Sequence, residues 1–325
     1  MTNPWTTMGM SFGSRLPRLP KASSLLLAYV LLAIAIAVVD PGFFGGKNLE
    51  DVLENNAGLA VTVVGMTFVI ITGAYDLSVG GVAGLAGVVY AKAALSYSIP
   101  ESIAIALVTG LACGVVNGIA VAWLRVNSFM ATFATSLVFL GLALAIQGEQ
   151  QIVVGNPGFG SVGLASWGGV PVAIVFVVVA FVIGGIVLQG TKFGQNVYAI
   201  GSNREGARLV GIRVNRVWGM TFVICGVLSA FAGVLIAAQV GVGSQDSGSL
   251  LPIEAIAAVV IGGISVYGGA GKMYQAALGL VILASLSSLF VRLSWTVQAQ
   301  DIVEGVVILW ALGANTVQTR SAGSI

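Results

Sequence analysis

Charge is spaced along this 325-residue chain in a way that very few folds can use. Charge-free runs cover residues 22–39, 55–75, 77–91, 102–124, 126–148, 150–191, 217–245, 255–271, 273–291 and 305–319. A helix crossing the hydrocarbon core of a bilayer needs about 20 apolar residues, with a range of about 17–25. Most of the runs match that length. Within 150–191, the stretch through Gly155, Asn156, Pro157, Gly158, Gly160 and Gly163 reads as a loop and 171–189 as a helix. The expected fold class is therefore all-α: a polytopic membrane protein with about ten transmembrane helices. Two of the runs, 77–91 and 255–271, are short, and glycine interrupts or bounds both.

Composition supports that solvent. Charged residues are 8% of the chain and hydrophobic residues 57%, whereas an ordinary soluble domain is about 25% charged. A soluble monomer of this size could not bury so much apolar surface and still cover itself with polar side chains. A soluble enzyme, a disordered chain and a nucleic-acid binder are all excluded on that ground. The run 22–39 is long for a cleavable signal, and Asp40-Pro41-Gly42 follows it in place of a small-residue cleavage site, so it is read as a retained span. The expected organisation is a cytosolic tail over 1–21, a single membrane domain over 22–316, and a second cytosolic tail over 317–325.

Orientation follows from the cations. With the N-terminus inside and ten alternating spans, 11 of the 14 Lys and Arg residues fall inside, and only Lys47, Lys92 and Arg292 outside. The positive-inside rule selects this topology over its mirror image and places both termini in the cytosol. Two connecting stretches exceed the rest: 147–170 outside and 190–216 inside.

Chemistry is constrained by what is missing. There is no His, which removes imidazole acid–base catalysis and His metal sites. Cys113 and Cys225 both lie in apolar runs and suggest no disulfide framework. The phosphate-cradling pattern comes no nearer than Gly271-Lys272, which has Val266 where its first Gly should be and Met273 after the Lys. No catalytic residue, metal site or bound cofactor is expected, and any ATP used must be bound by another chain.

The inside stretch 190–216 carries six of the chain's charges. In it, Ser202 or Asn203 can cap a short helix with Glu205 in its first turn and Gly211 as its stop. A plain solvated connector and a docking element are both compatible with the spacing. Asp76, between two apolar runs, costs roughly 2.5–3.5 kcal/mol at mid-bilayer on insertion scales. It reads either as a cap, with Ser78, for the next helix, or as part of a transport path or gate. Gly110, Gly114 and Gly118 recur every four residues, as close helix packing requires. Asn117 beside them, with Asn56, Thr132 and Thr135, are further candidates for a polar path. The short runs occupy the third and eighth places, which correspond if spans 2–5 and 7–10 are two inverted repeats. Gly65-Met66-Thr67-Phe68-Val69-Ile70 recurs as Gly219-Met220-Thr221-Phe222-Val223-Ile224, a match that biased composition explains as well as duplication does.

The segment Thr191-Lys192-Phe193-Gly194, Tyr198-Ala199-Ile200-Gly201-Ser202-Asn203 and Ala207-Arg208-Leu209-Val210-Gly211-Ile212 resembles the cytosolic loop of the ribose-type branch of bacterial ABC sugar permeases. Three further blocks follow the same family in order: Asp76-Leu77-Ser78-Val79-Gly80, Asn127-Ser128-Phe129-Met130-Ala131-Thr132, and Glu254 to Ser265 with Gly268-Gly269. The chain departs from the family pattern at Gly206, at Tyr75 before Asp76, and at Asn127-Ser128, where the family has Pro. The resemblance implies the permease subunit of an importer, which performs no chemistry itself. It works by alternating access on a sugar or sugar-like solute delivered by an extracytoplasmic binding protein at the outside loops, chiefly 147–170 and 239–251. It further implies a bacterial inner-membrane location and ABC ATPase subunits that carry ATP and Mg. A second permease copy, identical or paralogous, completes the pore. The coupling residues would be Gly194, Gly201, Asn203, Arg204, Glu205, Ala207, Arg208 and Gly211, and the substrate path would draw on Asn56, Asp76, Ser78, Asn117, Thr132 and Thr135. The competing reading is an ion-coupled secondary transporter, which would want ionisable residues within spans, with Asp76, Glu254, Asp301 and Glu304 as the acids near enough to serve.

Overall fold

The structure, a computed structural model, describes residues 21–309 apart from positions 297, 301, 304, 307 and 308. The two expected tails (Lys21 excepted), Asp301, Glu304 and most of the expected span 305–319 lie outside the described residues.

The chain is mostly helical. The helices are α1 (Lys21–Val39), α2 (Gly46–Asn55), α3 (Ala57–Ile71), α4 (Val79–Ala94), α5 (Ile99–Gly118, continued by a π-helical turn Ile119–Trp123), α6 (Ser128–Gln147), α7 (Ser161–Leu164), α8 (Val172–Gly190), α9 (Lys192–Ser202), α10 (Arg204–Leu209), α11 (Val214–Val240), α12 (Leu251–Ile261) and α13 (Met273–Arg292). Two-residue strands form the only ladders among the described residues. β1 (Ile152–Val153) pairs antiparallel with β4 (Val242–Gly243), and β2 (Ser166–Trp167) with β3 (Val170–Pro171).

Five helices among the described residues are long and apolar enough to cross a membrane alone: α5 with its π turn, α6, α8, α11 and α13. The pair α2–α3, bent by 55°, makes a sixth if counted as one span. This is fewer than the ten expected from charge spacing. The reason is physical: a charge-free run reports where the chain avoids water, not whether its backbone is one continuous helix. The two short runs do become short helices. At 1.5 Å per residue, the 16 residues of α4 and the 11 of α12 measure about 24 Å and about 16 Å.

Every residue of α3 is buried, as are all but two of α4. A helix that is apolar on all faces must sit inside others, and these two sit against α11, the longest helix. α5, α6 and α8 instead turn large apolar side chains outward, among them Leu137, Val138 and Val182. Gly110, Gly114 and Gly118 form the seam between α5 and α11. They meet Gly226 and Ala230, Phe222 and Val223, and Gly219 in turn, so the spacing read as close packing is that.

Long-range contacts separate the two ends of the bundle. At one end Arg292 pairs with Asp40 and reaches Asn48 (3.2 Å), Gln239 donates to the Glu54 carbonyl (2.7 Å), and Tyr90 to that of Phe159 (2.8 Å). At the other, Gly269 N donates to the Ile71 carbonyl (2.8 Å) and the Tyr198 hydroxyl to that of Gly271 (2.6 Å). The hydrogen bond from Arg292, assisted by that from Gly42 N, favours the charged form of Asp40 and holds its carboxyl below the ordinary value. A depressed carboxyl contributes stability that is present above its unfolded pKa and lost as pH falls through its folded one. The melting temperature of the purified chain should therefore fall a little more on acidification for wild type than for Asp40→Asn. The difference stays small because the pair faces solvent. Identical acid sensitivity of the two would show that the pair is energetically idle.

Candidate functional site

α3 stops at Ile71, and Gly73 turns the chain with φ +75°, a left-handed conformation that glycine adopts without penalty. Residues 74–78 are then non-helical until α4 begins at Val79. Irregular backbone inside an apolar bundle must find internal partners, and side chains from neighbouring helices supply them. Tyr75 N donates to Ser128 Oγ (3.3 Å), Leu77 N to Thr132 Oγ1 (2.9 Å), and Ser78 N to Asp76 Oδ1 (2.9 Å).

From there a line of hydrogen bonds crosses three helices. Thr135 Oγ1 on α6 donates to Asn117 Oδ1 on α5 (2.6 Å). Asn117 Nδ2 donates to Ser78 Oγ (2.6 Å), and Ser78 Oγ to Asp76 Oδ1 (2.6 Å). Asp76, Ser78, Asn117 and Thr132 are at most 1% exposed. Asp76 Oδ2 finds no hydrogen-bond partner among the described residues, and the thiol of Cys225 lies beside the carboxylate. Cys225 is 11 residues along α11 from Val214 and 15 from Val240, about 16 and 22 Å at the helical rise, so the acid sits near the middle of the bundle.

A second break faces the first. α11 ends at Gly241 (φ +82°), and residues 241–250 fold back along α4 through β4 and a 3₁₀ turn, Gln245–Gly248. Gly243 packs on Ala91, and Gly248 meets Gly80. A Cβ built on Gly80 would lie 3.1 Å from Pro252 Cγ and Cδ. The starts of α4 and α12 thus touch at mid-depth, and the two short helices run from there to opposite ends.

Five of the six expected path residues, Asp76, Ser78, Asn117, Thr132 and Thr135, therefore converge on this break. Asn56 does not join them. It lies at the bend between α2 and α3, where its amide donates to the Val52 carbonyl (2.8 Å), so its polarity is satisfied one turn back. Asp76 Oδ1 accepts from the backbone and hydroxyl of Ser78, just ahead of α4, so it orders the turn and does not cap the free N–H groups of the helix as expected. The stretch 239–251, expected as an outside loop, is partly tucked against the bundle: Gly243, Ser244 and Gly248 are buried while Val240 and Leu250 stay exposed. Sequence reasoning missed Ser128, Cys225 and this fold-back. The signal for the last was Gly241, Gly243, Ser244, Gln245, Ser247 and Gly248 within eight positions, a breaker cluster inside an otherwise apolar run.

The expected coupling stretch is two helices. Gly194 approaches the Leu188 carbonyl, and Gly201 the Ile71 carbonyl and Gly269 N, too closely for any Cβ, so α9 is locked onto the ends of α8 and α3. Asn203 Oδ1 accepts from Gly206 N (2.9 Å) and caps α10. Glu205 stands in the first turn and pairs with Arg208 (2.7 Å). Ala207 is buried, and Gly211 (φ +84°) follows the helix end. The Arg204 guanidinium lies 3.6 Å from the Trp218 ring centre. Leu209 and Val210 point outward, 89% and 77% exposed. Of the eight residues, Gly194, Gly201 and Ala207 face into the fold, and the others lie on or beside its surface.

A buried polar break among membrane-length helices, with a short capped helix at one end, is an arrangement suited to a membrane transport subunit. The family described as "Branched-chain amino acid transport system / permease component" matches residues 48–312. The chain is 33% identical to the ribose import permease protein RbsC of Escherichia coli K12, over 90% of this chain and 93% of that one. It is 34% identical to the L-arabinose transport system permease protein AraH of the same organism (89% and 88% covered). It is 32% identical to the autoinducer 2 import system permease protein LsrC of Yersinia enterocolitica (88% and 80%). No solved structure matches. The chain belongs to this permease family and is a permease subunit of a binding-protein-dependent ABC importer, which sets aside the ion-coupled alternative.

Proposed function

We propose that the chain imports a sugar or sugar-like solute by alternating access, passing it through the polar break between α4 and α12. The observation that carries this is the hydrogen-bonded line from Thr135 to Asp76, buried at mid-depth where two half-length helices begin. A neutral polyhydroxylated solute suits a path of hydroxyl and amide groups with one acid. The names of the ribose, arabinose and autoinducer 2 relatives point to the same class. Uptake of labelled pentoses by cells carrying the full transporter tests it. Saturable uptake abolished by loss of this chain supports the reading, and failure with every sugar tried while another solute class is taken up sinks it.

The distribution of cations along the chain is what supports an orientation with both termini cytosolic. The paired short helices favour two inverted repeats and a ten-span count. A binding protein would dock on 147–170, where Val153 and Trp167 are 70% and 68% exposed, and a second permease copy would complete the pore. At the other end, α10 is the element that ABC ATPase subunits, holding ATP and Mg, would grip. Leu209 and Val210 are the apolar contacts on offer. The double substitution Leu209→Asp with Val210→Asp should cut co-purification of the ATPase at least tenfold while the amount of chain in the membrane stays constant. Full ATPase recovery with unchanged uptake would reduce α10 to a connector.

A further inference from the structure

A cleft of about 370 Å³ opens beside α10, between it and the turn that precedes α6. Arg125, Arg204, Arg208, Glu205, Asn127, Ser128 and Trp218 line it. Three arginines against one acid give the lining a net charge of +2, and Glu205 is already spent on Arg208. Among the described residues Arg125 forms no ion pair, and its backbone is held in the left-handed region at φ +58°, which costs a non-glycine residue roughly 1–2 kcal/mol.

Two donors on residues that line the cleft lie buried behind its surface without a hydrogen-bond partner among the described residues. Trp218 is 7% exposed and its indole N–H is buried without a hydrogen-bond partner, and Nε of Arg204, whose guanidinium stacks on that indole, is in the same state. An unpaired buried donor costs about 1–3 kcal/mol. Arg125, Arg204 and Arg208 carry donors only, so the group that suits this lining is rich in acceptor oxygens and negative charge. Guanidinium forks match the oxygens of phosphate in pairs, and a net +2 suits a dianion. We propose that this cleft binds the phosphate group of a phosphate ester, held by Arg125, Arg204 and Arg208 over Trp218. The site is independent of whether an ATPase drives the chain, and it adds to the solute path a place where a second, anionic ligand acts. Two sources carry the same chemistry: an anionic phospholipid headgroup and a soluble sugar or glycerol phosphate.

The test uses the whole chain in nanodiscs, without ATPase. In phosphatidylcholine discs, inorganic phosphate and glycerol 3-phosphate should raise the melting temperature saturably. Arg204→Gln should weaken that binding at least tenfold. Trp218→Phe, which keeps an aromatic face but removes the N–H together with the five-membered ring of the indole, should weaken it several-fold. In discs containing phosphatidylglycerol, wild type retaining that lipid in native mass spectrometry, with Arg204→Gln losing it and added phosphate no longer binding, assigns the site to the lipid. Undiminished phosphate binding in those discs assigns it to the soluble ester. No saturable binding in either disc, or equal binding by wild type and both variants, overturns the site.

Discussion

Asp76→Asn is expected to leave the folded protein intact and to remove at least nine-tenths of uptake. Both hydrogen bonds that reach Asp76 Oδ1, from Ser78 N and Ser78 Oγ, are available to an amide oxygen in the same place. The break between α3 and α4 therefore stays closed. What the substitution removes is the charge and the second, unpartnered oxygen. A buried carboxyl with an acceptor oxygen left unused is costly to keep, so the melting temperature should stay level or rise. A fold that needed only the turn ordered at this point would be served as well by Asn.

Asp76→Leu behaves differently. It leaves two buried donors on Ser78 without an acceptor, at about 1–3 kcal/mol each, and loosens the end of the line that reaches Thr135. Folded protein should fall measurably, and uptake per folded molecule should fall as far as in the Asn variant. The two measurements are a melting curve of the purified chain and initial uptake rates normalised to membrane content. Wild-type uptake by Asp76→Asn would leave the residue with no role beyond ordering the turn before α4. So would uptake and folded protein falling in equal proportion for the Leu variant.

The sequence was most legible where structure is set by neighbours within one turn. Asn203, Glu205 and Gly211 specify the start, first turn and stop of α10, and each does so through groups no more than a few residues away. Polar residues stranded in apolar runs were legible as candidates for the same reason: Asp76, Ser78, Asn117, Thr132 and Thr135 stand out against their surroundings. That they form one line was not legible, because Asn117 and Ser78 are 39 residues apart and meet only through tertiary packing. Asn56 stands apart from that line: its amide donates to a carbonyl four residues back, an option open to any Asn at a helix end. The fold-back over 241–250 was hidden by the logic of charge. Asp246 was read as the edge of a span, whereas the helix had already ended at Val240 and the chain had turned back along α4.

The glycine seam between α5 and α11 is where a single methylene should matter most to the fold. A Cβ at Gly114 would lie 2.7 Å from the Phe222 carbonyl oxygen and 2.7 Å from Val223 Cα. Both are backbone atoms, so no side chain can rotate aside, and relief requires the two helices to separate. Gly226, opposite, meets Gly114 in turn at 2.8 Å from its Cα, which makes the clash mutual along the seam. Separation would also break the packing at Gly110 and Gly118, and it would pull Asn117 on α5 away from Ser78. Overpacking a well-filled site costs about 1–3 kcal/mol where side chains can adjust, and against backbone on both faces the cost lies above that range. Stabilities of about 5–15 kcal/mol leave little room for it. Gly114→Leu should therefore remove most folded protein, read as loss of the monodisperse peak in size-exclusion chromatography, and Gly114→Ala should lower the melting temperature by several degrees. Gly141→Leu on α6 is the control, because a Cβ there meets nothing within 4 Å, and it should behave as wild type. Equal tolerance of leucine at 114 and 141 would mean that α5 and α11 do not approach at this distance in the membrane. The depth assigned to Asp76 would then lose its support, since it is measured along α11.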